Sequence, residues 1–256
     1  IYIATPPDSH ERYALAAIAA GKPVYVEKPM ALTYDAAKRI QQQAEERQVK
    51  LVVAHYRRMQ PFFRKIKELM EEGIIGDIEK VQLVFDRMPL PVTTLNNPQQ
   101  AWRVDPSISG GGLFHDMAPH QLGLMLYFFG EVDHATGTAI NTNELYDAAD
   151  KVEGKINFAN GIRFNGSWNF NAAKEADSCL ISGSKGTLQF PVFGAHELEI
   201  TTATDKRLLT FEIPLHVQQP MIDATVQYFL NKAENPCPAE EGCEVMRLIE
   251  LFTQNS

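Results

Sequence analysis

Residues 1–29, IYIATPPDSHERYALAAIAAGKPVYVEKP, place two short apolar runs on either side of a helix-forming segment. Ile1–Ala4 predicts a buried strand, which ends at two prolines because proline has no N–H for a β-ladder. Gly21 closes the following helix, since glycine favours the position after a helix C-terminus. Val24–Val26 then predicts a second strand. This stretch therefore indicates one strand–helix–strand unit.

The next residues repeat the pattern. Thr33 can cap a helix over 34–48, whose apolar residues fall on one face, and Leu51–Ala54 predicts a third strand. Apolar strands separated by helices of roughly a dozen residues are typical of a parallel sheet with right-handed crossovers. Such a sheet usually has about five or six strands, so we interpret residues 1–58 as the C-terminal half of a Rossmann-type domain and expect roughly sixty residues of sheet before Ile1.

Residues 59–256 are predicted to form a second domain, of α+β type. A strand over 78–87 alternates apolar and polar residues, and further strands are predicted between 136 and 213. Two helices follow, over about 220–232 and 239–252. Strands followed by helices indicate a large mixed or antiparallel open sheet with helices on one face.

A motif lies between the first and second of these strands. Residues 88–109 are rich in proline and lack periodicity, which predicts a long ordered loop of the kind that often carries function. Gly110–Gly112 then precedes an apolar helix over 113–129. The glycines could hold a phosphate at the helix N-terminus or could simply allow close backbone approach. The dinucleotide-binding motif GxGxxG does not follow any predicted strand.

Composition and charge exclude several classes of protein. The chain has 24 Lys and Arg against 32 Asp and Glu, a net charge of -8, whereas a nucleic-acid-binding surface normally shows a basic patch. No window approaches the roughly 18 unbroken apolar residues of a membrane helix. Three cysteines without a CxxC pair favour a reducing compartment. We therefore expect a cytoplasmic protein that binds neither nucleic acid nor membrane.

Three polar side chains are the main candidates for catalysis. Lys28 follows the second strand, at the carboxyl edge where open α/β sheets bind ligands, and its amine could donate a proton or stabilise an alkoxide. Asp116 and His120 are four residues apart and project from one face of the predicted helix. A carboxylate beside an imidazole raises its pKa and orients it as a general base. A surface turn at Lys28, and a capping Asp with a structural His, are the alternatives.

Neighbouring residues add weaker signals. Arg103 could bind a substrate carboxylate or hydroxyls through two N–H groups, or could form only a surface salt bridge. His115 could join the other polar residues of the helix in a metal site, but it lies on a different face from His120, so we expect no metal. His10, near a helix start, is more typical of a local hydrogen-bonding residue. Residues 55–58 follow the third strand and could line a pocket.

Two ordered sets of residues resemble the Gfo/Idh/MocA family of oxidoreductases. The earlier set resembles the second half of that family's nucleotide domain and comprises Ile3, Ala4, Thr5, Pro6, Pro7 and His10, then Ala20–Val24 and Glu27–Pro29. The later set resembles its substrate-domain signature GGGxxxDxxxH and comprises Trp102, Arg103, Gly110–Gly112, Asp116 and His120. The resemblance covers essentially all 256 residues, and beyond Gly130 it consists of the pattern of strands.

The resemblance implies an enzyme that uses NAD or NADP to oxidise or reduce a sugar, cyclitol or related polyol. Lys28 would contact the substrate hydroxyl and the nicotinamide ribose, His120 would exchange the hydroxyl proton, and Asp116 would orient His120 and the substrate. The residues implied to line the cofactor beside Lys28 are Thr5, Pro6, Pro7, His10, Glu27 and Pro29. Those implied to bind the substrate are Trp102, Arg103, Asp116 and His120.

The resemblance also implies self-association. Family members often pair through the C-terminal sheet, so we expect a homodimer or a dimer of dimers. One face predicted for it consists of alternating residues of one strand, Ile162, Phe164, Gly166, Trp168 and Phe170. The family often continues its signature as HxxD, but Gly123 stands at that fourth position here, which removes a polar group from the implied site.

The same residues fit two other functions, an NAD-assisted glycosidase of the same family and a non-catalytic binding or dimerisation protein. The first strand, the glycine-rich turn and the ribose-binding acid of the family are not in these 256 residues. We therefore expect this chain alone to bind NAD(P) weakly or not at all, since the pyrophosphate lacks its helix N-terminus. Substrate identity and the choice between NAD and NADP are not predicted.

Overall fold

Three short parallel strands stand at the start of the chain in the computed structural model, which describes residues 1–95 and 97–254. The elements are β1 (Tyr2–Ile3), α1 (His10–Ala19), β2 (Val24–Val26), α2 (Tyr34–Glu46) and β3 (Leu51–Val53). The strand order is β1-β2-β3, and both pairings are parallel. The predicted Rossmann-type arrangement is confirmed.

Local chemistry accounts for helix α2. The Thr33 hydroxyl accepts a hydrogen bond from the backbone N–H of Ala36 at 3.1 Å, so it caps the helix as predicted. The side of α2 that packs into the core comprises the buried residues Ala36, Ala37, Ile40 and Ala44. The helix ends at Glu46, earlier than predicted, and Gln48 has a φ of 53°, which does not continue a right-handed helix.

Short helices occupy the segment predicted as a long loop. They follow α3 (Pro61–Glu71) and are α4 (Val92–Leu95), α5 (Pro98–Ala101), a 3-10 turn (Trp102–Val104) and α6 (Pro106–Ser109). The side chains of Asn97 and Asp105 cap α5 and α6 by accepting backbone N–H groups. The proline after each cap takes the first helical position, where no hydrogen bond is lost. Asn96, within the predicted loop, lies outside the described residues.

A second, larger sheet contains eight strands among the described residues. They are β4 (Ile78–Asp86), β5 (Val132–Ile140), β6 (Lys151–Phe158), β7 (Arg163–Asn169), β8 (Ala176–Gly183), β9 (Gly186–Phe190), β10 (Glu197–Thr202) and β11 (Lys206–Thr210). Their order is β11-β10-β9-β8-β4-β7-β6-β5, with β4 and β7 parallel and the other pairs antiparallel. The predicted large mixed sheet is confirmed.

Helices pack on one face of the larger sheet, as predicted. They are α7 (Gly112–Phe129) and α9 (Ala239–Thr253), whereas α8 (Gln219–Phe229) packs on the 3-10 turn Tyr56–Met59 that follows β3. Trp168 of β7 lies between two of them, with its ring 5.2 Å from that of Phe114 in α7 and 6.2 Å from that of Phe252 in α9. Its indole N–H donates to Gln121 Oε1 at 2.6 Å, which satisfies the buried polar atom. Within the part of the chain that the structure describes, no helix has the length and apolarity to cross a bilayer.

The face predicted for self-association belongs to this core, and that prediction is wrong. Ile162, Phe164, Gly166, Trp168 and Phe170 are all buried within the chain, at most 8% exposed where they carry a side chain. Because the apolar face of a strand must be covered, α7 and α9 of the same chain cover this one. The alternating residues that point outward, such as Arg163 and Asn165, are polar and exposed.

Candidate active site

Lys28 and Asp116, 88 residues apart in the sequence, form an ion pair. Lys28 follows β2 at the carboxyl edge of the parallel sheet, and Asp116 lies in the second turn of α7. The Lys28 Nζ donates to Asp116 Oδ1 at 2.6 Å and to the Asp116 backbone carbonyl at 2.9 Å. The two side chains are 12% and 24% exposed. The structure therefore joins the early and later motifs through one partly buried contact.

A cavity of about 240 Å³ opens beside this ion pair. It lies where the segment after β1, the segment after β2 and the first turns of α7 meet, at the edge where open α/β sheets bind ligands. The residues that line it are Ala4, Thr5, Pro6, Pro7, Glu27, Lys28, Pro29, Trp102, Arg103, Ser109 and Asp116. Most of the sequence-predicted site residues thus share one cavity, and the two that do not line it are His10 and His120.

Among the described residues, two cations flank Asp116. Besides the Lys28 ammonium at 2.6 Å, the Arg103 Nε lies 3.7 Å from Asp116 Oδ2. The Arg103 guanidinium also stacks over the ring of Trp102, at 4.6 Å from its centroid. Because its contact with Asp116 is long and its side chain is 42% exposed, Arg103 keeps N–H groups available toward the cavity.

Glu27 faces the same cavity with its carboxylate already engaged. Its Oε1 accepts from the Tyr2 hydroxyl at 2.6 Å and from the Gln218 side-chain amide at 3.0 Å. Gln218 stands just before α8, so this contact ties the C-terminal part of the chain to the parallel sheet. No sequence signal marked Gln218, because it lies in no motif and far from Glu27 along the chain.

His10 holds together the two segments that line the cavity. Its ring is 1% exposed, with Nδ1 2.9 Å from the Pro29 carbonyl and Nε2 2.8 Å from the Thr5 carbonyl. Both ring nitrogens are therefore engaged by backbone groups. His10 fits the local hydrogen-bonding role read from its position and stands behind the cavity wall rather than in it.

The three glycines before α7 allow close packing. A Cβ at Gly111 would collide with the ring of His115, and one at Gly112 would lie 2.7 Å from the Cβ of Ala148. Gly112 also has a φ of +73°, in the left-handed region that glycine favours. Of the two interpretations of this run, close backbone approach is the one these contacts support. Burial lowers the pKa of the His115 imidazole to about 4.

His120 lies one turn beyond Asp116 in α7 and is 7% exposed. Its ring meets Tyr56 edge-on at 5.3 Å and Phe193 edge-on at 5.4 Å. Its Nδ1 is buried and has no hydrogen-bond partner among the described residues. The expectation that Asp116 raises the pKa of this imidazole is wrong, because burial, Lys28, Arg57 and His55 hold that pKa well below its usual value.

Gly123, where the family often has an aspartate, faces the ring of His55. A Cβ at position 123 would lie 2.8 Å from His55 Nδ1. The imidazole of His55 thus takes the space that a side chain at 123 would need. Burial, Arg58 and Lys28 lower the pKa of His55 to about 3, so this imidazole is neutral.

Residues 55–58, noted only as possible pocket lining, provide much of the surroundings of His120. Arg57 donates from Nη1 to the Val192 carbonyl at 2.7 Å, and its guanidinium lies 4.3 Å from the centre of the Phe193 ring. Position after a parallel strand was the signal for Tyr56 and Arg57. Phe193 was missed, because it lies in an irregular segment after β9 without a motif.

Two family models match the chain. The NAD-binding Rossmann fold of an oxidoreductase family matches residues 1–55, and the GFO/IDH/MocA C-terminal domain matches residues 63–189. Oxidoreductase P35 of Formosa agariphila is 40% identical over 254 residues, which covers 98% of this chain and 77% of that protein. The scyllo-inositol 2-dehydrogenase (NADP(+)) IolW of Bacillus subtilis is 27% identical, in a match that covers 100% of this chain and 76% of that protein.

Solved structures with the same fold include levoglucosan dehydrogenase in complex with NADH and levoglucosan. It superposes with a TM-score of 0.86 at 22% identity, and the match covers 98% of this chain and 76% of that one. An aldose-aldose oxidoreductase from Caulobacter crescentus, complexed with glycerol, superposes with a TM-score of 0.84 at 20% identity over 98% of this chain and 75% of its own. At such identities the likeness describes the fold.

Proposed function

The chain belongs to the GFO/IDH/MocA family of NAD(P)-dependent oxidoreductases, and from that premise we propose that it oxidises a secondary hydroxyl of a sugar, cyclitol or related polyol. The ion pair between Lys28 and Asp116 inside the cavity carries this proposal, because it sets a cation where a hydroxyl oxygen would gain negative charge. Relatives named for scyllo-inositol and levoglucosan support the substrate class.

The cavity suits the nicotinamide end of NAD or NADP. Thr5–Pro7 and Glu27–Pro29 leave parallel strands at the carboxyl edge and line one cavity, which is the arrangement that dinucleotide sites use. We assign cofactor contact to these two segments, and with them the cofactor role to residues 1–58 and the substrate role to 59–256. When bound, the cofactor supplies the hydride acceptor.

Lys28 is proposed to hold the reacting hydroxyl and to stabilise its oxygen as the proton leaves. The Lys28 side chain is 12% exposed, so the field of its ammonium is screened less than that of a surface lysine. Asp116 fixes the ammonium at two points, through its carboxylate and its backbone carbonyl. Arg103 and Trp102, which also line the cavity, are proposed to bind the remaining hydroxyls.

His120 is proposed to accept the hydroxyl proton. Its pKa lies well below 6.5, so the imidazole is neutral near pH 7 and has a lone pair to offer. Since Nδ1 is sealed in the interior, we assign proton acceptance to Nε2. Asp116 is then proposed to act on the substrate and on Lys28 rather than as a hydrogen-bonding partner of His120.

A substrate panel tests the function. The protein expressed from its complete gene is incubated with NAD or NADP and with scyllo-inositol, levoglucosan, aldoses, alditols and simple glycosides, while reduced cofactor and released free sugar are measured. We expect at least one polyol to reduce the cofactor, and we expect the oxidised product to form in the same amount as the reduced cofactor. Release of free sugar from glycosides without accumulation of reduced cofactor would favour the glycosidase, and no turnover with any compound would contradict the proposal.

We also propose that the protein is a cytoplasmic homodimer or dimer of dimers that associates through the outer face of the larger sheet. That face is polar but includes Val84, which is 39% exposed. The three cysteines, Cys179, Cys237 and Cys243, are free and buried, which suits a reducing compartment.

Sedimentation of the protein tests the self-association. We expect the wild-type protein to sediment as a dimer or tetramer and Val84→Lys to weaken this association. A wild-type monomer at high micromolar concentration would contradict the proposal.

A further inference from the structure

One carboxylate organises the segment after β9. Asp177, at the start of β8, accepts hydrogen bonds from the backbone N–H groups of Val192, Phe193 and Gly194 at 3.0, 2.6 and 3.0 Å. Three N–H donors on one carboxylate form a strong, charge-assisted anchor. We call residues 192–194 the clamp turn. Its backbone is therefore fixed relative to the sheet.

Arg57 holds the clamp turn from the other side. It comes from the 3-10 turn after β3, donates from Nη1 to the Val192 carbonyl at 2.7 Å, and stacks over the Phe193 ring at 4.3 Å. Burial lowers the pKa of the Arg57 guanidinium, while the charge of Asp177 acts in the opposite direction. The clamp turn thus links the larger sheet to the carboxyl edge of the parallel sheet.

The Phe193 ring is the part of the clamp turn that reaches His120. Phe193 and Tyr56 meet the imidazole edge-on, with interplanar angles of 85° and 73°. No described residue bonds to Nδ1, so a second hydrogen bond does not orient the ring. Metal-free catalytic imidazoles are often oriented by a carboxylate at the second nitrogen. Here packing between two aromatic rings takes that role.

We propose that Asp177 and Arg57 are positioning residues, which hold Phe193 against His120 and so fix the direction of the imidazole for proton transfer. This proposal rests on the proposed role of His120 as the proton acceptor. Neither residue touches the cavity beside Lys28 and Asp116. Both act through the clamp turn.

Charge adds a second consequence. Burial is the largest cause of the low pKa of His120, and Lys28 after β2, Arg57 after β3 and, once protonated, His55 lower it further. Removing the Arg57 charge therefore raises the pKa of His120. Oxidation needs the neutral imidazole, so its rate is lost as the pH falls through that pKa, and a raised pKa moves this loss to higher pH.

The test compares variants of the protein expressed from its complete gene. Arg57→Gln is expected to move the acid-side midpoint of kcat/KM for oxidation upward by roughly one pH unit. Phe193→Leu, which keeps an apolar side chain, is expected to lower kcat by about 10-fold or more with a smaller change in KM, because the imidazole loses its alignment. Asp177→Asn is expected to lower kcat, because it weakens the anchor of the clamp turn. It should not shift the midpoint upward, because removing a negative charge does not raise the pKa of His120.

Lys67→Gln is the matched control. Lys67 also lies over an aromatic ring, that of Tyr127, at 4.1 Å and donates to a backbone carbonyl, but it is not among the groups that act on His120. Melting temperatures of all variants are measured, and if Arg57→Gln does not fold, the test relies on Phe193→Leu. If His120→Ala keeps full activity, the proposed role of His120 fails, whereas the proposed function fails only if the protein oxidises no polyol. If His120→Ala is impaired while Phe193→Leu and Arg57→Gln behave like Lys67→Gln, the positioning role is refuted.

Discussion

Replacing Lys28 by methionine is expected to lower kcat/KM for polyol oxidation by about 10²- to 10³-fold, the usual effect of removing one donor to a developing oxyanion. Methionine keeps much of the length of the side chain, so the variant removes the charge and little of the volume. Arg103, the other cation near Asp116 among the described residues, has its Nε 3.7 Å from the Asp116 carboxylate and is more exposed, so it compensates weakly. Steady-state kinetics with the best substrate of the panel measures the effect.

Lys38→Met serves as the control for this variant. Lys38 is an exposed lysine of α2, 3.8 Å from Asp35, and a surface pair of this kind contributes little. Titration with reduced cofactor separates binding from chemistry, since the loss for Lys28→Met is expected mainly in the turnover of bound substrate. If the turnover of Lys28→Met stays within about threefold of the wild type, the loss is too small for an oxyanion donor, and Lys28 has no such role in the mechanism.

The parallel sheet could be predicted from sequence because its signals are local. Each strand is a short apolar run followed by proline or polar residues that do not continue it. Thr33 marks the start of α2, because its hydroxyl accepts a hydrogen bond from the first turn of the helix. The place of β4 in the larger sheet could not be predicted. It pairs with β7 and β8, strands that follow far later in the chain, and such pairing is decided by how the faces pack.

The loop prediction for 88–109 failed for a related reason. Proline inside a helix or strand removes a backbone hydrogen bond, but after Asn97 and Asp105 it starts a helix whose first N–H groups are capped by the side chain before it. Each of these helices is a single turn. A periodicity argument needs several turns, so it could not detect them.

For the candidate site, the sequence singled out Lys28, Asp116 and His120 but did not predict that Lys28 would be the partner of Asp116. Spacing along α7 placed the carboxylate beside the imidazole, because residues four apart share a helix face. In the folded chain Lys28 arrives from β2 and takes the carboxylate at 2.6 Å. The Asp116 carboxylate therefore binds the distant Lys28 cation rather than the neutral His120 imidazole on its own helix. Helix spacing contains no information about a partner from another element.

His120→Ala is expected to lower kcat for oxidation by about 10²- to 10⁴-fold, the range for loss of a general base. The wild-type imidazole has a pKa well below 6.5, so it is neutral from there upward and the wild-type rate should change little between mildly acidic and mildly alkaline pH. In the variant the proton must pass to solvent. Its residual rate should therefore rise with pH across the same interval, where the wild-type rate is flat.

Cofactor affinity distinguishes this loss from a structural one. His120 does not line the cavity formed by Thr5–Pro7 and Glu27–Pro29, so titration of His120→Ala with reduced cofactor should give a Kd close to that of the wild type. His134→Ala, at an exposed position of β5, is the control and should leave both rate and Kd unchanged. A His120→Ala enzyme that retains the flat pH profile and more than about a third of the wild-type rate would show that another group accepts the proton.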